Sequence, residues 1–150
     1  MTELILNNKL STRDYTEVIK TLGRQMVDAG YAKETYIQAV LDREKTLPTG
    51  LKAGITNVAI PHTDITHVNK SAVAIATLNE PVKFHLMEDP SKEVDVDIVF
   101  LLAVSQPEEQ TELLRNLMAI FQDKELLLKI KNAENKDSLH EILKLATKLV

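Results

Sequence analysis

The segment VAIPHTDITH, residues 58–67, holds two of the four histidines in the chain. His62 follows an apolar run and a proline, and His67 comes shortly after it. Proline fixes its own φ and biases Ile60 before it toward extended backbone, so the pattern predicts a rigid strand exit that directs the His62 side chain reproducibly. From the pattern alone, His62 is either a reactive group or an ordinary polar residue at a strand end.

Two kinds of chemistry are open to this segment. Neutral imidazole is a nucleophile near neutral pH because its ordinary pKa is about 6.5, and a ring nitrogen can accept a phosphoryl or an acyl group. His62, Asp64 and His67 also form the pattern H-x-D-x-x-H, whose side chains are possible metal ligands. The spacing is irregular, no helix would place the three on one face, and a fourth ligand is not evident. We therefore expect neither a metal site nor any other cofactor.

The composition argues against nucleic acid and membrane as partners. The 150 residues carry a formal net charge of -4, and no local cluster of Lys and Arg offsets it. No stretch approaches the roughly 18 apolar residues of a spanning helix, and the N-terminus lacks the basic segment of a signal peptide. The absence of cysteine excludes disulfides, thiolate metal sites and a cysteine nucleophile. We expect a single domain spanning residues 1–150, soluble and cytoplasmic.

Helical and strand patterns alternate along the chain, which predicts an α/β or α+β fold. The capping-box patterns STRD at 11–14 and SLHE from Ser138 predict the starts of the first and last helices, the last at Asp137 or Ser138, and Gly30 suits the end of the first. An Asn79-Glu80-Pro81 hairpin favours a mixed sheet of about five strands, flanked by helices on both faces. Strands are predicted at residues 3–8, 57–61, 72–78, 82–85 and 94–104, and further helices at about 33–44, from about 108, and through LLLKI after a brief break.

The run LDREKTLPTGLKAGITNVAIPHTD, residues 41–64, resembles the IIA phosphocarrier domains of the bacterial phosphoenolpyruvate:sugar phosphotransferase system, in the fructose/mannitol superfamily. The AIPH motif alone is a weak signal, but its distance from a helix ending in Arg-Glu makes the resemblance specific. It extends over nearly the whole chain, since residues 30–44 match the family's second helix and the later elements follow the same order. The matching pieces are Arg43-Glu44, Pro48-Thr49-Gly50, Gly54-Ile55 and Ala59-Ile60-Pro61-His62.

Two departures from the mannitol-type members favour the galactitol-type branch. The loop between Arg43 and His62 is slightly longer, and the second active-site histidine of those members is missing. That histidine precedes a large amphipathic helix, where this chain has QPEEQTELL with Gln110 in the corresponding place. Gln110 either donates an amide N–H to a phosphoryl oxygen or is a solvated residue in the first turn of a helix.

The resemblance implies a phosphotransferase in which His62 accepts a phosphoryl group from the phosphohistidine of the carrier protein HPr. The group would pass to a cysteine of a IIB component, which phosphorylates a sugar, galactitol or a related one, taken up through the membrane component IIC. Arg43 is either a phosphate ligand, since its guanidinium fork fits phosphate, or a solvated cation at a helix end. Thr49 and Thr63 are candidate hydroxyl donors to the phosphoryl group.

Three other functions compete with this interpretation. The first is a regulatory phosphoacceptor, similar to the nitrogen-branch IIA proteins, with the same fold and the same histidine. The second is a metal-dependent hydrolase that uses His62, Asp64 and His67. The third is a non-catalytic interaction module in which His62 is an ordinary residue and carries no labile phosphoryl group.

Overall fold

A computed structural model describes residues 2–147 and residue 149 of the chain. Within them, one sheet lies between two layers of helices. The strands are β1 (Glu3–Leu10), β2 (Gly50–Leu51), β3 (Val58–Ala59), β4 (Ala72–His85) and β5 (Glu93–Ala103). The helices are α1 (Tyr15–Asp28), α2 (Tyr36–Thr46), α3 (Pro107–Gln122), α4 (Lys124–Lys131) and α5 (Lys136–Ala146), and a 3-10 turn spans Ile65–His67.

The sheet is mixed, with the strand order β1-β4-β5-β3-β2. The β1/β4 and β3/β5 pairs are parallel, whereas β4/β5 and β2/β3 are antiparallel. Helices cover both faces: α1 and α2 pack on one, and α3, α4 and α5 pack on the other. The predicted fold class, a mixed sheet of about five strands between helices, is therefore confirmed.

Strand β5 lies at the centre of the sheet and has core on both of its faces. Val99 and Leu101 pack with the α1/α2 layer, whereas Ile98, Phe100 and Leu102 pack with the α3–α5 layer. A strand buried on both faces needs apolar residues at every position instead of at alternate ones. This explains the continuous apolar run from which the strand was predicted.

The predicted hairpin at residues 79–81 is wrong. Strand β4 continues from Ala72 to His85, and its pairing with β5 only shifts between Thr77 and Val82 before it resumes. Such an irregularity accommodates Pro81, which has no N–H to donate to the ladder. Two predicted strands are therefore one long strand with a bulge.

The capping residues predicted for α1 and α5 are wrong, although α5 begins at Lys136, only one residue before the predicted Asp137. The N-cap of α1 is Asp14, whose carboxylate accepts from the Glu17 N–H at 2.9 Å, and not Ser11 or Thr12. The N-cap of α5 is Asn135, whose side-chain oxygen accepts from the Ser138 N–H at 2.8 Å. Acidic and amide side chains compete well with Ser and Thr for this position. Gly30, with φ +84, follows the end of α1 as predicted.

Four of these elements, β3, β5, α3 and α2, meet where the two parallel strands end. Because β3 and β5 are parallel, their carboxyl ends lie side by side, and α3 begins just after β5. The buried Tyr36 of α2 donates its hydroxyl to the Leu102 carbonyl of β5 at 2.6 Å, which ties α2 to the same edge. The chain segments that follow β3 and β5 are therefore held against α2. No helix in the described residues has the length and apolar character needed to cross a bilayer.

Candidate active site

A pocket of about 180 Å³ opens where the segment after β3 meets the end of α2 and the start of α3. It brings together four of the five residues proposed from the sequence: Arg43, His62, Thr63 and Gln110. Thr49 does not line it. The remaining lining residues are Asp64, Ile65 and Pro107.

The ring of His62 is fixed by the backbone of its own strand. Its Nδ1 lies 2.7 Å from the carbonyl oxygen of Ile60, and a carbonyl oxygen can only accept a hydrogen bond. Nδ1 must therefore carry the proton of the neutral ring, which leaves the lone pair on Nε2. Nε2 has no hydrogen-bond partner among the described residues. The buried Pro61 anchors this exit, since its carbonyl accepts from the Leu102 N–H at 3.0 Å.

The surroundings of His62 favour the neutral, nucleophilic ring. Burial lowers the pKa of its imidazole below the ordinary value, because the charged form is poorly solvated there. The hydrogen bond to Ile60 opposes this shift, and the positive charge of Arg43 adds to it. Because the pKa is lowered from 6.5, the His62 ring is uncharged in most molecules at pH 7.

We expect a 15N-detected NMR titration of His62 to give a pKa below 6.5, with Nε2 as the unprotonated nitrogen of the neutral ring. Arg43→Ala should raise that pKa, because a neighbouring cation that disfavours the imidazolium is removed. The unsubstituted protein at the same ionic strength is the reference. A midpoint at or above 6.5, or a neutral ring protonated on Nε2, would contradict the geometry.

Arg43 brings a positive charge to the pocket, and that charge favours the ionised form of Asp64, which lines the same pocket. It lies in the last turn of α2, its Nε is buried, and that nitrogen has no hydrogen-bond partner in the described part of the chain. Its guanidinium forms no ion pair with a carboxylate there either. A buried donor without a partner is unfavourable unless something else satisfies it. Within the described residues this donor therefore lacks an acceptor, and Arg43 also lines the pocket.

The other pocket residues provide neutral donors and one acidic side chain. The side chains of Thr63 and Gln110 make no hydrogen bonds within the described residues, and both are only half-buried. Asp64 caps the turn Ile65–His67 and accepts from the Thr66 N–H at 3.0 Å and from the Thr66 hydroxyl. Gln110 stands in the first turn of α3, whose N-terminal backbone dipole favours anions.

Thr49 is committed elsewhere, so the structure does not place it as a phosphate ligand. It is buried, and both its hydroxyl and its backbone N–H donate to the carboxylate of Glu44, at 2.9 Å and 2.8 Å. Sequence reasoning missed Glu44, which is itself only 5% exposed. The pattern E-x-x-x-x-T at the end of a helix was the available signal, but its meaning depends on burial.

The three side chains of the H-x-D-x-x-H pattern do not come together around one point. The Nδ1 of His67 lies 2.8 Å from the Thr35 hydroxyl, and the Nδ1 of His62 is engaged by Ile60. Across residues 2–147 and 149, no group of three His, Cys, Asp or Glu side chains is arranged to hold a metal ion.

Comparison with known proteins identifies the family of this chain. Residues 2–146 match the family described as "Phosphoenolpyruvate-dependent sugar phosphotransferase system, EIIA 2". The chain is 32% identical over 127 residues to the galactitol-specific EIIA component of Escherichia coli K12, which covers 85% of this chain and 84% of that protein. The resemblance inferred from the sequence is thereby confirmed.

Two solved structures from Escherichia coli share the fold. The crystal structure of IIA mannitol superposes with a TM-score of 0.73 at 27% identity, covering 94% of this chain and 95% of that one. The enzyme IIA chain in a complex of enzyme IIA and phosphorylated enzyme IIB for mannitol has a TM-score of 0.74 at 26% identity, with 95% and 94% covered.

Proposed function

We propose, from the premise that this chain belongs to the EIIA 2 family of the phosphoenolpyruvate-dependent sugar phosphotransferase system, that it is a phosphocarrier that works through His62. Nε2 of His62 would accept a phosphoryl group from phospho-HPr and pass it to a cysteine of a IIB component. The observation that carries the proposal is one pocket that holds both a neutral imidazole and the Arg43 guanidinium. Among the described residues, Nε2 of that imidazole has no hydrogen-bond partner and the guanidinium forms no ion pair.

The transfer needs no proton to move on His62. Nε2 attacks the phosphorus of the donor, the donor's P–N bond breaks, and its electron pair returns to the donor imidazole. The His62 ring, now substituted on Nε2 and still protonated on Nδ1, gains positive charge, which the Ile60 carbonyl stabilises. In the second step, the IIB thiolate attacks phosphorus and the electron pair of the P–Nε2 bond returns to His62.

The remaining pocket residues would hold the transferred group. Phosphoryl transfer spreads charge over three equatorial oxygens, so positioning and electrostatics dominate its catalysis. The Arg43 guanidinium would contribute two parallel N–H donors, and the Gln110 amide and Thr63 hydroxyl one each. The start of α3 adds its backbone dipole from the side of Pro107.

The partners follow from the chemistry and from the relatives. This chain has no cysteine, so the next acceptor must come from another protein or component. The mannitol enzyme IIA to which it is similar has been solved with phosphorylated enzyme IIB, which supports a IIB partner here. The galactitol-specific relative supports galactitol or a related sugar, carried by a IIC component, as the final acceptor.

The test is phosphoryl transfer in vitro, followed by intact mass. The protein is incubated with phosphoenolpyruvate, enzyme I and HPr, and then with a galactitol-type IIB domain. We expect one phosphoryl group on the chain, lost in acid but kept in base, which then moves to the IIB cysteine. No added mass, with phospho-HPr present in the same tube, would overturn the proposal. Acceptance from HPr without transfer to any IIB tested would favour the regulatory alternative.

A further inference from the structure

Glu44 is a buried carboxylate that lies next to Arg43 in sequence but does not line the pocket. Glu44 follows Arg43 in the last turn of α2, and its side chain makes no ion pair among the described residues. Both of its oxygens accept from Thr49: Oε1 from the hydroxyl at 2.9 Å and Oε2 from the backbone N–H at 2.8 Å. Burial raises the pKa of this carboxyl to about 7, although Thr49, Arg43 and His85 all favour its charged form. An acid is disfavoured at such a place unless it contributes something specific.

A chain of hydrogen bonds leads from Glu44 to the ring of His62. The Thr49 carbonyl accepts from the Ile60 N–H at 3.4 Å, and the Ile60 carbonyl accepts from Nδ1 of His62 at 2.7 Å. The N–H and the carbonyl of Ile60 belong to one residue. A shift of the segment around Thr49 would therefore move the Ile60 N–H and change the direction of the carbonyl that holds the ring. The orientation of His62 therefore depends on where Thr49 is held.

The residue after Thr49, Gly50, is packed closely against strands β4 and β5. A Cβ on Gly50 would lie 2.6 Å from the His85 carbonyl oxygen and 2.9 Å from Cγ1 of Val94. Gly50 and Leu51 form β2, which pairs with β3 immediately before the exit to His62. The loop is thus held by β4 and β5 on one side and by Glu44 on the other.

We propose that Glu44 and Thr49 form a buried clamp that positions the imidazole of His62 for phosphoryl transfer. Both are positioning residues, since neither lines the pocket and both act through the backbone of Ile60. The catalytic part of this inference rests on the proposed phosphocarrier function, whereas the structural part, the orientation of the ring, does not.

The clamp predicts a specific kinetic signature. Thr49 and Glu44 are 2% and 5% exposed, so they offer almost no surface to a donor protein. Loosening them should lower the limiting single-turnover rate constant of phosphoryl acceptance, here called kcat. The phospho-HPr concentration that gives half of this rate, here called KM, should stay within about twofold. Because a small misplacement of a reacting group lowers the rate steeply, we expect kcat to fall at least about tenfold in Thr49→Val. Valine keeps the shape and the backbone N–H but removes the hydroxyl donor.

Two matched variants separate positioning from general destabilisation. Thr49→Ser restores the hydroxyl and should return kcat to within about threefold of the parent chain. Thr77→Val removes an equally buried threonine hydroxyl, which bonds Lys9 and Asn8 away from the pocket. It should lower the unfolding midpoint without changing kcat. Equal losses of kcat in Thr77→Val and Thr49→Val would contradict a positioning role.

The 15N spectrum of His62 gives a readout that does not need phosphoryl transfer. In Thr49→Val, we expect the Nδ1 and Nε2 shifts, and the fraction of each tautomer, to move away from those of the parent chain. An unchanged spectrum and an unchanged kcat in a folded Thr49→Val would overturn the clamp. If Thr49→Val does not fold, the same readouts on Glu44→Gln decide, since glutamine keeps one acceptor oxygen. If the unsubstituted chain accepts no phosphoryl group, the phosphocarrier function fails, and the spectrum alone decides on the clamp.

Discussion

Replacing His62 with alanine is expected to abolish phosphoryl acceptance altogether. The pocket offers no second imidazole, since the other residues that line it are Arg43, Thr63, Asp64, Ile65, Pro107 and Gln110. A phosphoryl group on the Asp64 carboxylate would be an acyl phosphate, which base destroys, so it would not be mistaken for a phosphohistidine. Intact mass after incubation with phosphoenolpyruvate, enzyme I and HPr should show no adduct that is lost in acid and kept in base. His62 is only half-buried, so the variant should keep a cooperative unfolding transition.

His67→Ala is the matched control for that result. His67 is also half-buried and lies in the same segment, but its ring is directed to the Thr35 hydroxyl and does not line the pocket. This variant should accept the phosphoryl group at close to the parent rate. A labile adduct on His62→Ala, or its loss on His67→Ala, would move the nucleophile away from His62.

Long-range pairing decided where the sequence interpretation of the fold succeeded and where it failed. The continuous apolar run of β5 can only be buried on both faces, so its central place in the sheet was predictable. The Asn79-Glu80-Pro81 segment has the local chemistry of a turn, but β4 continues past it because Val82, Phe84 and their neighbours pair with β5. Local turn preferences are weaker than the pairing and burial of a long strand, and that balance is not visible in a short window.

The candidate site also has features that the sequence predicts and features that it does not. His62 was predicted because a proline-directed strand exit and a family motif coincide at one residue, and the structure places it in the pocket. Arg43 was predicted from the family resemblance and the fit of a guanidinium to phosphate, and the structure places it in the same pocket. Thr49 was proposed for the phosphate, but its partner is the buried Glu44, and no residue type or spacing reveals that burial. Which nitrogen of His62 is unprotonated depends on the direction of the Ile60 carbonyl, and only the folded structure shows that direction.

Gln110 stands where the mannitol-type members have a second histidine, and its position in the structure shows what this difference changes. Gln110 lines the pocket, half-buried, in the first turn of α3. A glutamine there can donate hydrogen bonds but cannot add charge or move a proton. Among the described residues, His62 is the single histidine that lines the pocket. In the proposed function, the positive charge beside a phosphoryl group would therefore fall on Arg43 to a greater extent than it would with a second histidine.

Arg43→Ala is therefore expected to lower the rate of phosphoryl acceptance by about 10²- to 10³-fold, or about 3 to 4 kcal/mol of transition-state stabilisation. Arg43→Lys should recover only part of it, because an ammonium keeps the charge but loses the two parallel N–H donors. The measurement is the single-turnover rate of transfer from phospho-HPr by rapid quench. Arg13→Ala is the control, since that side chain is 91% exposed and pairs with Glu17 at the start of α1.

The same substitution should not weaken the fold, which separates function from stability at this residue. Arg43 has a buried Nε without a partner and no ion pair among the described residues, so alanine removes an unfavourable group. We expect the unfolding midpoint of Arg43→Ala to equal or exceed that of the parent chain while transfer is nearly lost. A rate within threefold of the parent would remove Arg43 from the phosphate site. A large loss of stability would mean that its guanidinium supports the fold and not the phosphoryl group.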